Sequence, residues 1–121
     1  MSKRILVIED QEDNRRILRY LLKSADYEVV EAVTGEDGVA LAERELPDLI
    51  LMDIQLPGLD GYEATRRIKG NQALRHIPII VVTSYALSGD DVKAFEAGCD
   101  AYVTKPFNPR QLLAKIQEHL R

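Results

Sequence analysis

The sequence predicts an α/β fold in which a doubly wound, five-stranded parallel sheet of order 2-1-3-4-5 carries helices on both faces. Three short apolar runs without polar alternation, at residues 5–8, 49–52 and 78–82, are typical of strands buried on both faces. The runs alternate with helical segments, as in parallel sheets joined by right-handed crossovers. A chain of 121 residues has the length of one domain with one core, so we expect a single domain over residues 1–121.

Composition narrows the possible functions. Hydrophobic residues make up 45% of the chain and charged residues 30%, as in ordinary soluble domains. The net charge of −4, without a stripe of Lys and Arg, argues against direct binding of nucleic acid. The single cysteine, Cys99, excludes an intramolecular disulfide and is expected to be a packed thiol. No apolar run approaches the roughly 18 residues of a membrane span, and the first is too short for a signal peptide. We therefore expect a cytoplasmic protein.

The first half of the chain is assigned from apolar spacing and end signals. The first strand, residues 5–8, ends in Glu9 and Asp10, and a polar strand over residues 28–31 is predicted at the sheet edge. Between them, a helix over residues 13–25 is expected to turn five apolar residues inward: Ile17, Leu18, Leu21, Leu22 and Ala25. Its basic residues are expected to point outward: Arg15, Arg16, Arg19 and Lys23.

The second helix and the central strand follow. Thr34 is a candidate N-cap for a helix over residues 34–45, and Pro47 blocks its continuation. Its predicted packing residues are Val39, Ala40, Leu41 and Ala42. The central strand, residues 49–52, ends at Asp53, since the following Pro57, Gly58 and Gly61 prevent an extension.

The second half is marked by caps. Asp60 is a candidate N-cap for a third helix that stops near Gly70, and a buried strand over residues 78–83 ends at Thr83. Ser88 is expected to cap a helix over residues 88–97, and a short strand over residues 101–103 runs into Lys105. Asn108 and Pro109 predict the start of the last helix. Its inward stripe is expected to be Leu112, Leu113, Ile116 and Leu120.

Polar residues lie at the carboxyl ends of four of the five predicted strands. Taken alone, Asp53 has about even odds of only ending a strand or capping a helix, and Thr83 and Lys105 alone suit a cap and a solvated loop. In the order 2-1-3-4-5, however, these strand ends meet at one rim, where open α/β sheets bind ligands. Convergence on the rim favours a functional site of Glu9, Asp10, Asp53, Thr83 and Lys105.

This set of side chains suits phosphoryl transfer. Three carboxylates in one crevice repel each other, and a hard divalent cation with oxygen ligands, Mg²⁺, relieves the repulsion. A carboxylate nucleophile, a lysine and a hydroxyl are the remaining parts needed to accept a phosphoryl group and neutralise its oxygens. The product would be an acyl phosphate, which is hydrolysable.

Four motifs in this order resemble the receiver domain of two-component response regulators, over nearly the whole chain. The motifs are Glu9-Asp10, the run from Met52 to Gly61, Val82-Thr83-Ser84, and the run from Tyr102 to Pro106. Among receivers, the chain is most similar to the stand-alone, single-domain kind. The resemblance implies the flavodoxin-like receiver fold and a cis peptide bond between Lys105 and Pro106.

The resemblance also implies the role of each site residue. Asp53 would be the phosphoacceptor, and Lys105 would pair with the phosphoryl oxygens. Mg²⁺ would be bound by Asp10, Asp53 and the backbone carbonyl of Gln55, with Glu9 acting through a water molecule. Glu9 departs mildly from the family, which often has Asp there. Thr83 and Tyr102 would form the switch that reports phosphorylation.

By the same resemblance, the protein would be a signalling switch and not a conventional enzyme. It would take its phosphoryl group from a sensor histidine kinase or a histidine phosphotransfer protein and lose it slowly by autodephosphorylation. Asn14, Ile17 and Leu18 are the expected contacts for that donor, although Leu18 and Ile17 also suit a core. Gln55 and Tyr85 are expected to tune dephosphorylation.

A downstream protein target would bind the face made by the fourth helix, fifth strand and fifth helix. The candidate residues of this output face are Val92, Lys93, Phe95, Glu96, Tyr102 and Gln111. We expect no direct contact with nucleic acid or membrane, and a monomer or weak dimer.

Other functions are less well matched by the residues. A dehalogenase-type phosphatase needs an acid two residues after its nucleophile, where this chain has Gln55. A flavodoxin-like cofactor carrier needs a phosphate loop at residues 9–13, which here are mostly acidic and would repel a phosphate. No P-loop motif is present. A receiver-like scaffold that binds a partner without phosphorylation remains the alternative.

Overall fold

The computed structural model describes residues 2–84 and 89–120 and has the predicted architecture. Within these described residues, ten strands and helices alternate in sequence order. The strands are β1 (Arg4–Ile8), β2 (Glu28–Ala32), β3 (Leu49–Met52), β4 (Ile79–Thr83) and β5 (Ala101–Thr104). The helices are α1 (Glu12–Ser24), α2 (Gly35–Glu45), α3 (Gly61–Gly70), α4 (Asp90–Ala97) and α5 (Pro109–His119).

The five strands form one parallel sheet of order β2-β1-β3-β4-β5, which confirms the predicted fold class and the edge position of β2. The order in which successive strands join the sheet reverses at β1, whose neighbours are β2 and β3. Ile8 pairs with Ala32 on one side and with Met52 on the other. The carboxyl ends of β1 and β3 therefore lie next to each other, at the position where doubly wound sheets bind ligands.

Side-chain alternation along the strands divides the core into two layers. Leu6 and Ile8 point to the layer that contains residues of α2, α3 and α4, including Ala42, Ile68 and Ala94. The alternate strand residues point to the layer beneath α1 and α5, which contains Leu18, Leu22, Leu112 and Ile116. Burial of each such leucine or isoleucine contributes about 1.5–3 kcal/mol. Both sheet faces are thus covered, as a fully apolar strand requires.

The predicted inner faces of α1 and α2 were partly wrong. Ile17 is 57% exposed, whereas Leu18 and Leu22 are buried, so the inward stripe is narrower than expected. In α2, Ala40 is exposed and the inner face is formed by Gly35, Gly38 and Ala42. The glycines allow close approach, because a Cβ atom on Gly38 would lie 2.5 Å from the Ile8 side chain.

Arg15 and Arg19 are not simply turned outward, because they pair with the edge strand. The Arg19 Nε donates to Glu31 Oε2 at 2.7 Å, and Arg15 Nε lies 3.4 Å from Glu31 Oε1. Only 12% of the Arg15 side chain is exposed. The hydrogen bond from Arg19 lowers the pKa of the Glu31 carboxyl. A polar edge strand therefore explains why these two arginines lie against the sheet.

The helix caps follow the predictions where the structure describes them. The side chains of Thr34, Asp60 and Asn108 accept hydrogen bonds from backbone amides of α2, α3 and α5. Helix α4 instead starts at Asp90 after Gly89, whose φ of 90° is left-handed. The expected cap, Ser88, lies outside the described residues.

Cys99 is buried, and burial raises the pKa of its thiol to about 11, as expected for a packed and unreactive side chain.

Among residues 2–84 and 89–120, no helix combines the length and apolar character needed to cross a membrane.

Candidate functional site

Three carboxylates meet where β1 and β3 end. The Glu9 amide donates to Ala32 O and the Asp53 amide donates to Ile8 O, both at 3.0 Å, so the sheet ladder continues one residue beyond the strands. Glu9 and Asp53 are only 1% and 7% exposed, and Asp10 is half-buried. Each of the three residues offers an oxygen, and these oxygens all lie within 4.8 Å of one another. The predicted acidic cluster is thus brought together.

Lys105 reaches this cluster from the end of β5. Its amide donates to Thr83 O at 2.8 Å, which fixes the backbone beside β4, and the Lys105–Pro106 peptide is cis as expected. The Lys105 Nζ lies 2.5 Å from Glu9 Oε1 and 3.6 Å from Asp53 Oδ2. Thr83 is fully buried at the end of β4. All five strand-end residues predicted from the sequence therefore lie at the same rim.

The donor set fits a hard divalent cation. The three carboxylates and one ammonium carry a formal charge of about −2 when ionised, and their oxygens are close enough to share one ion. Oxygen ligands of this kind are those that Mg²⁺ prefers. The cluster of Glu9, Asp10 and Asp53 could therefore hold a metal ion.

The loop after Asp53 is shaped by glycines. The Gln55 amide lies 3.3 Å from Asp53 Oδ1 and donates to it, while the Gln55 side chain is exposed. Gly58 has a φ of +71°, which favours glycine. Gly61 is the first residue of α3, as expected, but it also packs against the phosphoacceptor candidate: a Cβ there would lie 2.1 Å from Asp53 O. The sequence did not predict this close approach of Gly61 to Asp53.

The start of α4 places the acidic residue Asp90 near Tyr102 and against Tyr62, which the sequence did not predict. Tyr102 is half-buried on β5, and burial, followed by the charges of Asp90 and Asp91, raises the pKa of its hydroxyl. Asp90 is 4% exposed, and the Tyr62 hydroxyl lies 3.3 Å from both its backbone carbonyl and its Oδ1. Asp90 lies near the start of the helix that the sequence predicts over residues 88–97, where an exposed acid is usual. Its burial depends on the packing of α3 against α4, for which the sequence carried no signal.

A surface pocket of about 480 Å³ opens beside Lys105. Its walls come from α1 and from the segment between β5 and α5, and they include Asn14, Ile17, Leu18, Lys105, Pro106 and Phe107. The residues predicted to contact a phosphodonor thus line a mainly apolar groove, and Lys105 belongs to both the groove and the acidic site. Tyr85, the other residue expected at the site, lies outside the described residues.

The predicted output face has exposed apolar residues on α4. Val92 and Phe95 are 56% and 50% exposed, one helical turn apart. Lys93, Glu96 and Gln111 are also exposed.

Comparison with known proteins decides the family. The family model described as the response regulator receiver domain matches residues 5–117. The chain belongs to this family. It is therefore a receiver domain of two-component signalling, and the resemblance predicted from the four motifs is confirmed.

Relatives of this receiver match it over almost their whole length. The polar-differentiation response regulator DivK of Brucella ovis is 39% identical over 120 residues, which cover 99% of this chain and 98% of DivK. This supports the resemblance to single-domain receivers.

Solved structures agree with the fold and with the metal expectation. The receiver domain of the sensor histidine kinase PA1611 from Pseudomonas aeruginosa has a TM-score of 0.92 and 38% identity, with 99% of this chain and 98% of that chain covered. That structure is described with a magnesium ion coordinated in its active-site cleft. A receiver domain protein from Methanospirillum hungatei also has a TM-score of 0.92 and 38% identity, over 99% and 94% of the two chains.

Proposed function

We propose that this receiver is a phosphorylation switch in which Asp53 accepts a phosphoryl group from a phosphohistidine. The observation that carries the proposal is the position of Asp53, which lies in the acidic cluster and within 3.6 Å of the Lys105 ammonium. Asp53 is 7% exposed, so its carboxylate is oriented by its surroundings and still open to the rim. Receiver domains act with histidine kinases, which supply such a donor.

The transfer is a single displacement at phosphorus. An Asp53 carboxylate oxygen forms the new P–O bond while the P–N bond of the phosphohistidine breaks, and the imidazole leaves with the bonding electron pair. Lys105 neutralises charge on the phosphoryl oxygens. Thr83 donates a hydrogen bond to them from its hydroxyl. Attack of water on the phosphorus of the acyl phosphate later restores Asp53, which gives slow autodephosphorylation.

Mg²⁺ is the proposed cofactor, and when bound it offsets charge on the carboxylates and on the transferred group. Asp10, Asp53 and the Gln55 backbone carbonyl are its proposed ligands, with Glu9 acting through water. The mutual distances of the three carboxylates support this assignment.

The phosphodonor is proposed to bind the groove between α1 and the segment after β5. This groove contains Lys105, so a donor seated there presents its phosphohistidine directly to the acidic site. The exposed side chain of Ile17 supplies an apolar contact next to the opening. A sensor histidine kinase or a histidine phosphotransfer protein is the proposed occupant.

Phosphorylation is proposed to change the face formed by α4, β5 and α5. The phosphoryl group carries a charge of about −1.5 to −2, compared with −1 on the ionised Asp53 carboxylate, and its oxygens draw Thr83 and Lys105 toward Asp53, with Tyr102 following Thr83 inward. The exposed Val92 and Phe95 then form part of the surface that a downstream protein binds. Gln55, and Tyr85 by sequence alone, are proposed to tune the lifetime of the phosphorylated state in a cytoplasmic monomer or weak dimer.

The proposal is tested by intact-mass measurement after incubation with a small phosphodonor and Mg²⁺. We expect a gain of one phosphoryl group that requires Mg²⁺ and is lost in Asp53→Asn. Asp48→Asn is the matched control, because Asp48 lies just before the other end of β3 and accepts a hydrogen bond from the Arg4 amide. That variant should gain the same mass as the unmodified protein.

The result can also favour the alternative function. A folded protein that gains no mass, or that gains it equally in Asp53→Asn, contradicts the proposal. The first of these outcomes would favour a receiver-like scaffold that binds its partner without phosphorylation.

A further inference from the structure

Arg15, in the first turn of α1, reaches back to the loop that carries the acidic site. Its Nη1 donates to the backbone oxygen of Glu9 at 2.9 Å, and its Nε lies 3.4 Å from Glu31 Oε1. Its Nη2 also pairs with Glu12, and only 12% of the side chain is exposed. One guanidinium thus joins the end of β1, the edge strand β2 and the start of α1.

The contact with Glu9 O bears on the residue that follows it. Because a peptide unit is planar, Glu9 O lies in one plane with the amide nitrogen and the Cα atom of Asp10. The Glu9 amide is already held by Ala32 O at 3.0 Å. A charged donor on Glu9 O therefore opposes the peptide rotation that would carry Asp10 away from the cluster, and such hydrogen bonds are stronger than neutral ones.

The position of the Arg15 guanidinium is itself set by the sheet. Glu31 lies opposite Val7 in the register of β2 with β1, and its carboxylate also accepts two hydrogen bonds from Arg19, at 2.7 and 2.8 Å. The planar fork of an arginine can serve Glu9 O and Glu31 at the same time, whereas a lysine ammonium lacks this geometry. A rigid path therefore leads from the edge strand to the Glu9–Asp10 peptide.

We propose that Arg15 is a positioning residue for Asp10. By anchoring the Glu9 carbonyl, it holds the Asp10 carboxylate where that group can bind Mg²⁺. The guanidinium donates hydrogen bonds only and cannot bind a metal ion, and its charge by itself opposes a cation. This inference rests on the proposed function, because it takes Asp10 as a ligand of Mg²⁺.

The test measures the Kd for Mg²⁺ from the NMR shifts of the Asp10 and Asp53 backbone amides during a titration. Arg15→Gln removes a positive charge beside a cation site, which on its own would strengthen Mg²⁺ binding. Loss of the anchor has the opposite sign. We expect the Kd for Mg²⁺ to rise by about tenfold in Arg15→Gln.

Two neighbouring arginines provide matched controls with the same change of charge. Arg16 is paired with Asp13 on the outer face of α1, where 66% of its side chain is exposed. Arg19 shares Glu31 with Arg15. Arg16→Gln and Arg19→Gln should therefore keep the Mg²⁺ affinity of the unmodified protein or raise it slightly. Arg19→Gln separates loss of pairing with the edge strand from loss of the contact with Glu9 O.

The outcomes separate the inference from the proposed function. If the Asp10 and Asp53 amides of the unmodified protein do not respond to Mg²⁺, the proposed function itself fails. If they respond, and Arg15→Gln binds Mg²⁺ as tightly as Arg16→Gln or is weakened no more than Arg19→Gln, only the role of Arg15 is overturned. Should Arg15→Gln not fold, Arg15→Lys decides, because it keeps the charge and loses the fork: weaker binding than in the unmodified protein supports the role, and equal binding contradicts it.

Discussion

At the level of single residues, the backbone of Asp53 is held in place by a glycine. Gly61 lies so close that a Cβ atom would be 2.1 Å from Asp53 O and 2.6 Å from the Ile54 Cα, and both of these are backbone atoms that cannot rotate away. The Gly61 amide also donates to Ile54 O at 2.9 Å. The start of α3 therefore sets the position of the residue that we propose is phosphorylated.

We predict that Gly61→Ala lowers the free energy of unfolding by about 1–3 kcal/mol and slows phosphorylation of the protein that remains folded. The backbone of residues 53–54 has to shift to admit the methyl group. Thermal unfolding and the rate of mass gain from a phosphodonor measure the two effects. Gly70→Ala is the matched control, since a Cβ at Gly70, the last residue of α3, meets nothing within 4 Å among the described residues. It should be neutral, or stabilising by up to about 1 kcal/mol. Equal behaviour of the two variants would contradict the role of Gly61.

At the level of elements, Lys69 connects α3 to the loops that precede β4 and β5. Its ammonium donates to Arg75 O, Ile77 O and Asp100 Oδ2 at 3.1, 2.8 and 2.9 Å. The same Asp100 oxygen accepts from the Ile79 amide at 2.8 Å, at the start of β4. One lysine thus satisfies two loop carbonyls and an aspartate, and only 17% of its side chain is exposed.

We predict that Lys69→Met lowers the free energy of unfolding by about 1–3 kcal/mol, because it leaves these acceptors without their charged donor. Methionine keeps the apolar stem that packs against Gly98, so lost packing contributes little. Denaturant unfolding measures the change. Lys93→Met, on the exposed face of α4, is the control and should stay within about 0.5 kcal/mol of the unmodified protein. If Lys69→Met changed the free energy of unfolding by no more than Lys93→Met does, the three hydrogen bonds of Lys69 would add no stability.

At the level of the whole molecule, the sequence predicted what depends on periodicity and on strand order. Apolar runs identified the strands, and the strand order alone brought Glu9, Asp53 and Lys105 to one rim. Contacts that depend on the rotation of a helix or on residues distant in the chain were missed. Ile17 was expected inside and is exposed, because α1 turns Arg15 and Arg19 toward Glu31 of the edge strand.

The contacts within the site that the sequence did not predict were missed for the same reason. The contact of Gly61 with Asp53 and the pairing of Glu9 with Lys105 depend on distances of a few tenths of an ångström, which residue types do not encode. The burial of Asp90 likewise follows from the fit of α3 against α4. The sequence therefore predicted which residues meet, and the structure adds how each one is held.

The central claim is that Asp53, and neither of the two acids beside it, takes up the phosphoryl group. The most direct test traps the acyl phosphate by reduction with borohydride, which converts a phosphorylated aspartate into homoserine, and then locates the change by peptide mass spectrometry. We predict homoserine at position 53 only, and only after incubation with Mg²⁺ and the phosphodonor. Conversion at Asp10 or reduction at Glu9, or an unchanged residue 53 in protein that has gained phosphoryl mass, would contradict the claim.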